Sequence, residues 1–284
     1  MGIMIFMHVT PSAVKKFKSL IKAYYRRHGR DLPWRETRDP YHILLSELML
    51  QQTQVERVIP KYHEFLGRFP NLFRLSRSRL SSVLRVWQGL GYNRRALYLK
   101  RAAEEIVSRH GGAVPRDPEV LAQLPGIGKA TAGAIAAFAF NQPTAFIETN
   151  IRRVYLHFFF PRRRAVPDTA LLPLIAKTLD RKNSHEWYYA LMDYGAMLGA
   201  VQKGKKNPNR RSKHYTRQSR FEGSDRQLRG KIIALMLDEK QMSEKILAEK
   251  LTASTKRIKK VVASLIVEGF LDKQQKGRLG IASR

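Results

Sequence analysis

The sequence contains no cysteine among its 284 residues. A chain without thiols forms no disulfide of its own and offers no thiolate ligand to zinc or to an iron–sulfur cluster. Its eight histidines are scattered, without the spacing of a metal site. We therefore expect this chain to hold neither a metal ion nor a cluster, and to need no cofactor.

Long apolar runs are missing as well. No stretch approaches the roughly 20 apolar residues that a membrane-spanning helix needs. The N-terminal stretch through Met7 is apolar, but it lacks the basic start and the small-residue cleavage site of a signal peptide. The sequence therefore predicts a cytoplasmic protein without a membrane partner, associated with the nucleoid if its source is prokaryotic.

Acidic residues are scarce relative to basic ones. The chain has 53 Lys and Arg against 23 Asp and Glu, which gives a formal net charge of +30. An excess of this size produces a positive surface potential and favours a polyanionic partner. Nucleic acid is the partner we favour, and a generic basic protein that binds ribosomes or membranes is the alternative.

Convincing alternation of apolar and polar residues, which marks a strand, is absent from residues 1–200. Apolar side chains there recur at three- and four-residue spacing, which is typical of helices. Thr10 opens an amphipathic helix over 11–30, and Asp39 followed by Pro40 is a second helix start. These patterns predict a mainly all-α fold.

Composition divides the chain into three parts. Residues 1–202 are predicted to form the helical core. Residues 203–224 carry a dense run of lysines and arginines with few apolar residues, which is typical of a mobile basic linker. Residues 225–284 show three apolar-periodic helices and a short polar hairpin, an arrangement that resembles a small winged-helix module.

Residues 124–134 contain a Gly-x-Gly turn between two predicted helices. Glycine permits positive φ and lets a phosphate approach the backbone, and N–H groups at the start of the next helix face that anion. Such a contact supplies affinity but reads no base sequence. We expect Gly126, Gly128, Lys129 and Thr131 to bind the DNA backbone. A plain turn between two packed helices is the alternative.

Two acidic residues stand in unusual surroundings. Glu47 lies on a predicted helix among apolar neighbours, and loss of water around a carboxyl raises its pKa and suits it to act as a general acid. Glu148 follows an apolar pair and precedes a helix, where the helix dipole and free N–H groups hold a carboxylate ionised. Taken singly, each acid is better explained by a capping or ion-pairing role.

Together with the phosphate-binding turn, the two acids indicate a further chemistry. Cleavage of an N-glycosidic bond needs an acid to protonate the leaving base and an anion to stabilise the cationic sugar, as carboxylate pairs do in glycoside hydrolysis. We therefore expect Glu47 and Glu148 to meet across one cleft in opposite protonation states.

Five motifs, in order along about residues 15–200, resemble the MutY adenine glycosylases. They are residues 32–35, 46–54, 89–92, 124–134 and 148–154. These enzymes belong to the helix-hairpin-helix glycosylase superfamily, which also includes endonuclease III. The resemblance implies a fold of two all-helical subdomains with the active site in the cleft between them. It also implies double-stranded DNA with a mismatch or an oxidised base as the partner.

The resemblance assigns roles to individual residues. Glu47 matches the catalytic acid, which protonates adenine at N7 and helps to position water. Glu148 stands where the family has an Asp that stabilises the oxocarbenium-like transition state. Gln51 and Gln52 match residues that fill or probe the stack around the extruded base, and Tyr92 matches an aromatic wedge beside a guanine-type partner base. Such enzymes flip their target out of the duplex.

Ala130 stands where lyases of the endonuclease III type carry a nucleophilic Lys. Without that amine no Schiff base forms, so the resemblance implies a monofunctional enzyme. Arg152, in the fifth motif, is a further residue that we expect to bind DNA.

Three departures from the family pattern have consequences. Glu148 in place of Asp moves the carboxylate by about one ångström, and a misplacement of that size can cost about 10²-fold in rate. The four-cysteine cluster is absent, and a basic stretch occupies its place, where we expect contacts to the DNA backbone that weaken steeply with salt. The predicted contacts are Lys205, Lys206, Arg210 and Arg211. The usual C-terminal domain, which recognises 8-oxoguanine, has no room, and the winged-helix-like tail either binds DNA or braces the core.

The leading prediction is excision of adenine opposite 8-oxoguanine or guanine by a monomeric enzyme. A thymine or uracil mismatch glycosylase is the runner-up, because the superfamily includes such enzymes and because Glu148 and the missing recognition domain disfavour adenine. A non-catalytic sensor of DNA damage is the alternative from another class, and the presence of both acids disfavours it.

Overall fold

The structure is a computed structural model that describes residues 10–202, 206–216, 220–239 and 241–283. Helices dominate these residues, and their one sheet is a two-stranded hairpin, so the predicted all-α fold is confirmed. The helices are α1 (Pro11–His28), α2 (Pro40–Leu50), α3 (Val55–Arg68), α4 (Leu72–Ser76), α5 (Leu80–Trp87), α6 (Arg94–His110), α7 (Pro118–Leu121), α8 (Lys129–Phe140), α9 (Thr149–Phe159), α10 (Asp168–Thr178), α11 (Ser184–Val201), α12 (Asp225–Asp238), α13 (Glu244–Lys250) and α14 (Thr255–Glu268), and the strands are β1 (Leu271–Lys273) and β2 (Leu279–Ile281). None of the described helices is long and apolar enough to cross a membrane.

Contacts divide the chain into two compact units that do not follow the predicted boundaries at residues 202 and 225. The first unit comprises the described residues within 1–43, 116–123 and 127–217, and the second comprises those within 44–115, 124–126 and 218–284. The C-terminal segment thus belongs with residues 44–115, although the sequence suggested a separate module.

The core of the first unit is built around α11, which packs against α9, α1 and α8. Phe17 of α1 meets four aromatic rings edge-on, at centroid distances of 5.1–5.9 Å. Those rings belong to Tyr155, Phe158, Phe159 and Trp187. The predicted start of α1 is confirmed, since the Thr10 hydroxyl accepts a hydrogen bond from the backbone N–H of Ala13 at 3.2 Å.

The core of the second unit forms where α6 packs against α4 and α5. Trp87, at the end of α5, is fully buried and meets the ring of Phe65 edge-on at 6.1 Å. Such aromatic side chains bury the largest apolar areas of any residue type and stabilise the packing of short helices.

The three helices and terminal hairpin predicted for residues 225–284 are present in the second unit. β1 and β2 pair antiparallel, with Leu271 opposite Ile281, and Met242 adds a bridge to Leu279. Glu268, the last residue of α14, accepts hydrogen bonds from Arg94 of α6 and Arg229 of α12. Burial alone pushes the pKa of Glu268 up, but these bonds outweigh it and lower the pKa to about 2.

The described part of the predicted basic linker, residues 206–216, is folded against other parts of the chain. Residues 208–211 form a short 3₁₀ helix in which Pro208 and Asn209 are buried. The Asn209 amide donates to the carbonyl of Thr149 at 3.1 Å, and Ser212 forms a parallel bridge with Val166. The stretch packs against the first unit because these polar groups find backbone partners there, which its charge composition did not reveal.

Candidate functional site

Glu47 lies on α2, one of the most completely buried helices of the chain. The carboxylate of Asp39 caps the start of this helix by accepting from the backbone N–H of Tyr41 at 2.8 Å, as predicted. Leu44 and Leu48 are fully buried, whereas Glu47 between them is half-buried. The helix therefore presents one carboxyl at the edge of an apolar core, in the second unit.

Arg95 holds the end of α2, and the sequence argument did not identify it. One terminal nitrogen of this buried side chain donates to the carbonyls of Leu48, Met49 and Gln51 at 2.9, 2.7 and 2.7 Å. The other donates to the Thr53 hydroxyl at 3.0 Å and to carbonyls of residues 90 and 91. A cation suits the carbonyl end of a helix. Arg95 therefore ties the loop after α2 to the loop before α6.

The pKa of Arg95 is lowered to about 10, chiefly because burial removes water from the guanidinium. The group still remains charged at neutral pH. Among the described residues, no carboxylate pairs with it in an ion pair. Its charge is instead balanced by carbonyl and hydroxyl oxygens.

The two loops that Arg95 joins carry the residues predicted to probe the base stack. Gln52 and Tyr92 both have left-handed backbones, with φ of +55° and +47°. Residues other than glycine adopt this region at a cost, and such strain is often found at functional sites. Gln51, Gln52, Tyr92 and Gly126 all line one cavity of about 1290 Å³ in the second unit.

The Gly-x-Gly turn uses its two glycines differently. Gly126 has φ of +76°, and a Cβ there would lie 2.6 Å from Cβ of Tyr98, so only glycine fits. Gly128 has φ of −86° and caps the start of α8. A Cβ at position 128 would meet nothing within 4 Å, so the space beside this glycine is open. Positive φ is therefore needed at the first glycine only.

Lys129 and Thr131 lie in the first turn of α8, where free backbone N–H groups favour an anion. Lys129 is exposed and Thr131 is half-buried. Phosphate binding by this turn stays a prediction.

Glu148 caps the start of α9, as its position in the sequence indicated. Its carboxylate accepts from the backbone N–H groups of Asn150 at 2.7 Å and Ile151 at 3.4 Å. Burial of the carboxyl nevertheless raises the pKa of Glu148, although those bonds and the charges of Arg153 and Arg152 act to lower it. The loss of water therefore outweighs the helix start, and the pKa of Glu148 lies above its ordinary value rather than below it.

The residues around Glu148 hold α9 against α11 within the first unit. Arg153 donates to the side-chain oxygen of Asn150 at 2.6 Å and to the carbonyl of Gly195 at 2.5 Å. A side chain at position 195 would collide with the backbone of Asn150, so glycine lets the two helices approach. The sequence argument missed Asn150 and Arg153, although their three-residue spacing on a helix was a usable signal.

Several residues predicted to bind DNA already have protein partners. Arg152 forms a two-pronged ion pair with Asp168 at 3.0 and 2.6 Å. Arg211 donates to the carbonyls of Leu156 and Pro161, each at 3.0 Å, and burial lowers its pKa. The position of Arg211 gives it a structural role at the end of α9.

The other described basic residues of the predicted phosphate-binding stretch are more exposed to solvent. Lys206 and Arg210 are exposed, and Arg210 lies over the ring of Tyr215 at 5.9 Å. Lys205 lies outside the described residues. DNA contacts at these three positions stay a prediction.

A buried charge cluster was also missed. Asp193 of α11 accepts from Nε of Arg30 at 2.7 Å and from both terminal nitrogens of Arg35 at 2.8 Å. Arg35 in turn lies over the ring of Tyr189 at 4.6 Å. Burial pushes the pKa of Asp193 up, but the two arginines outweigh it and hold the pKa below its usual value. The cluster locks the 32–35 motif onto α11.

The structure thus gathers the predicted residues in two groups. Glu47, Gln51, Gln52, Tyr92 and Gly126 belong to the second unit. Glu148, Arg152 and the start of α8 belong to the first. Among the described residues no cluster of His, Asp or Glu is arranged to hold a metal ion.

Comparison with known proteins identifies the relatives of this chain. Residues 45–171 match the HhH-GPD superfamily of base excision DNA repair proteins. An adenine DNA glycosylase of Mycolicibacterium smegmatis is 32% identical over 92% of this chain and 94% of its own length. One from Buchnera aphidicola is 37% identical over 64% of this chain, which spans about half (52%) of that protein. The solved structure of a thermostable thymine-DNA glycosylase is similar with a TM-score of 0.60 and 28% identity, covering 71% of this chain and 96% of that one.

Proposed function

We propose that this chain, which belongs to the MutY-like adenine DNA glycosylases of the helix-hairpin-helix superfamily, removes adenine mispaired with 8-oxoguanine or guanine. The observation that carries the proposal is the similarity to an adenine DNA glycosylase over 92% of this chain and 94% of that protein. The partner is double-stranded DNA. We further propose a monomer that works in the cytoplasm, at the nucleoid if the source is prokaryotic.

Glu47 is the proposed general acid. Its proton goes to N7 of adenine and the bond between N9 and the sugar breaks. Water then adds to the sugar carbon, and the proton that this water loses passes to the Glu47 carboxylate. A half-buried carboxyl on an otherwise buried helix suits this step, because few water molecules compete for its proton.

Glu148 is the proposed stabiliser of positive charge on the sugar. Two backbone N–H groups fix the direction of its carboxylate. Because its pKa is raised, the ionised form is less stable than that of an ordinary glutamate. A nearby cationic sugar would favour that form again, since opposite charge lowers the pKa of a carboxyl.

The product is an abasic site with an intact strand. Ala130 is exposed on α8 and offers no amine to attack the sugar. We therefore propose a monofunctional enzyme that leaves strand cleavage to another activity.

The test compares wild type with Glu47→Gln on duplexes that carry 8-oxoguanine·A, G·A, G·T or G·U. After hot alkali we expect cleavage of the adenine strand only, reduced about 10²- to 10⁴-fold in the variant because a general acid contributes that much. Glu56→Gln is the matched control, since Glu56 is an exposed glutamate of the same unit.

Each of the other possible results would favour a different function or mechanism. Cleavage at T or U would replace adenine by a pyrimidine substrate. Binding to every duplex without cleavage would leave a damage sensor, and strand cleavage without alkali would contradict the assignment based on Ala130.

A further inference from the structure

A second cavity of the second unit, with a volume of about 430 Å³, lies between the end of α3, α4 and the start of α5. We call it the arginine pocket, because four arginines line it: Arg68, Arg74, Arg77 and Arg79. The other described residues that line it are uncharged, so no carboxylate faces these four groups there. Pockets for small ligands usually measure about 300–1,000 Å³, and this one suits a single nucleotide.

The arginine pocket lies at the opposite end of the helices that carry the candidate site. α6 begins beside the cavity that contains Tyr92 and ends two residues before Gly112, against which Phe73 packs. α3 is arranged in the same way, with Arg57 at the Tyr92 cavity and Arg68 at the arginine pocket. α6 has 17 residues, and a helix rises about 1.5 Å per residue, so its ends are about 25 Å apart. A nucleotide in the arginine pocket is therefore neither the target adenine nor its partner.

The four guanidinium groups of the pocket are exposed. In the part of the chain that the structure describes, none of them takes part in an ion pair or a side-chain hydrogen bond. From residue 65 to residue 103 the sequence contains no Asp or Glu. The acids on either side of this stretch pair with lysines, Glu64 with Lys61 and Glu104 with Lys100. The positive charge of the pocket is therefore available to a ligand.

The type of basic residue in the pocket indicates what that ligand carries. Every basic residue from 65 to 85 is an arginine, although lysines are abundant elsewhere in the chain. A guanidinium presents a planar pair of donors that matches two oxygens of a phosphate, whereas a lysine offers a compact point charge. Like charges gathered in one concave surface also raise the local concentration of anions. The pocket therefore favours a ligand with several phosphate groups.

Phe73 adds an aromatic surface beside these charges. Its side chain is held in place by the backbone of Gly112, where a Cβ would collide with the ring. Even so, 44% of Phe73 is exposed. A fixed, exposed aromatic ring among cationic side chains is typical of proteins that bind single-stranded nucleic acid, in which cations bind the phosphates and bases stack on the ring.

We propose that the arginine pocket is a second nucleic-acid site, which binds an unpaired DNA strand. The four arginines bind its phosphate groups, and Phe73 stacks on one of its bases. The inference goes beyond the proposed function, because no step of adenine excision uses this pocket. Such a site holds a single strand while a duplex occupies the candidate site.

The test asks whether a single strand and a duplex bind at the same time. Full-length protein is saturated with an unlabelled duplex that carries tetrahydrofuran, a stable abasic analogue, opposite 8-oxoguanine. A fluorescein-labelled oligothymidylate is then added, and its anisotropy is followed at several salt concentrations. We expect wild type to bind the labelled strand as well as the duplex.

The first variant removes two of the four charges. Arg74→Gln/Arg77→Gln should weaken binding of the labelled strand and leave binding of the duplex unchanged. Each phosphate contact to a single strand contributes about 0.7 to the slope of log K against log salt concentration, so the slope should fall by about 1.4. Arg26→Gln/Arg27→Gln is the control of equal charge, since both residues are exposed arginines of the first unit. It should bind the strand as wild type does, with the same slope.

The second variant separates stacking from charge. Phe73→Leu keeps an apolar side chain without an aromatic face. It should weaken binding of oligothymidylate about tenfold, the loss that follows removal of one stacking partner. A strand of tetrahydrofuran residues has the same phosphates but no bases, and its affinity should not change. Phe73→Tyr keeps the aromatic face and should bind both strands as wild type does.

Four results would overturn the inference. Equal losses in the two double variants would reduce the effect to net charge. A labelled strand that binds only in the absence of duplex would occupy the candidate site instead. Displacement of the strand by orthophosphate at the same phosphate concentration would leave a site for a free anion, and tighter binding of polyglutamate than of the strand would assign the pocket to an acidic protein.

The measurement does not depend on catalysis. Should the protein bind no duplex, the proposed function fails, while oligothymidylate binding by wild type and the variants still tests the arginine pocket.

Discussion

Both compact units bury charged side chains, and Asp193 in the first unit and Arg95 in the second are balanced differently. In the first unit Asp193 is 3% exposed and is balanced by the charges of Arg30 and Arg35. In the second unit Arg95 is 6% exposed and is balanced by carbonyl and hydroxyl oxygens. A buried charge needs partners in either case, because its water is lost.

The two arrangements are suited to different roles. An ion pair is a rigid connection between two chain segments, and removing one partner leaves the other charge buried without compensation. A cation on backbone carbonyls instead holds loops whose side chains remain available for other contacts. The first arrangement locks α11 to the 32–35 motif, whereas the second shapes the loops that carry Gln52 and Tyr92.

The largest effect is expected when the charge in the first unit is removed. Asp193→Ala leaves two arginines without their carboxylate and should lower the free energy of unfolding by about 3–5 kcal/mol. Denaturant unfolding measures this loss. Lys22→Ala, which removes the more exposed ion pair with Asp180, is the control and should cost about 1 kcal/mol or less. Equal losses in the two variants would remove the distinction between buried and exposed pairs.

A smaller effect on stability is expected for the buried cation of the second unit. Arg95→Met keeps the length of the side chain but removes its donors, and should cost about 1–3 kcal/mol. The cost stays moderate because water from the adjoining cavity can reach some of the carbonyls. Adenine excision should fall more than stability alone accounts for, since the Gln52 and Tyr92 loops lose their connection. Full activity at temperatures where the variant is folded would contradict this role.

The smallest effect on stability is expected for Glu148→Gln. Unlike the two variants above, it should stabilise the protein at neutral pH. The pKa of Glu148 in the folded protein is raised, so the folded state binds a proton more readily than the unfolded state, and stability falls as the pH rises from the ordinary glutamate value through the raised one. Glu148→Gln has no such titration. Its melting temperature should therefore slightly exceed that of wild type at neutral pH, and the difference should shrink as the pH falls through that interval.

Glu148→Gln should also lose excision, because a neutral amide does not offset positive charge on the sugar. Thermal melts from acidic to neutral pH, with Glu119→Gln as an exposed control, measure the stability effect. A variant less stable than wild type at every pH would show that the carboxylate is favoured where it lies.

Much of the fold could be predicted because its signals are local. Thr10 and Asp39 cap helices through side chains that reach only two or three residues along the chain. The helices of the C-terminal segment followed from apolar spacing. The described part of the basic linker was misjudged, because Asn209 and Arg211 find partners 50–60 residues away.

The candidate site was predictable in its residue types and less so in its energetics. The position of Glu148 at a helix start was foreseen, but the direction of its pKa was not, since burial depends on what packs around the carboxyl. Arg95 was missed because nothing in its neighbours along the chain shows that it will be buried beneath two loops.

By itself the sequence determined the all-helical class, the helix starts, the glycine at position 126 and the absence of any thiol chemistry. Only the tertiary structure decided which charges are buried and what balances them. Arg30 and Asp193 are 163 residues apart in the chain and 2.7 Å apart in space. The free energy of a buried charge is set by the groups that replace its water, and packing, rather than local sequence, brings those groups together.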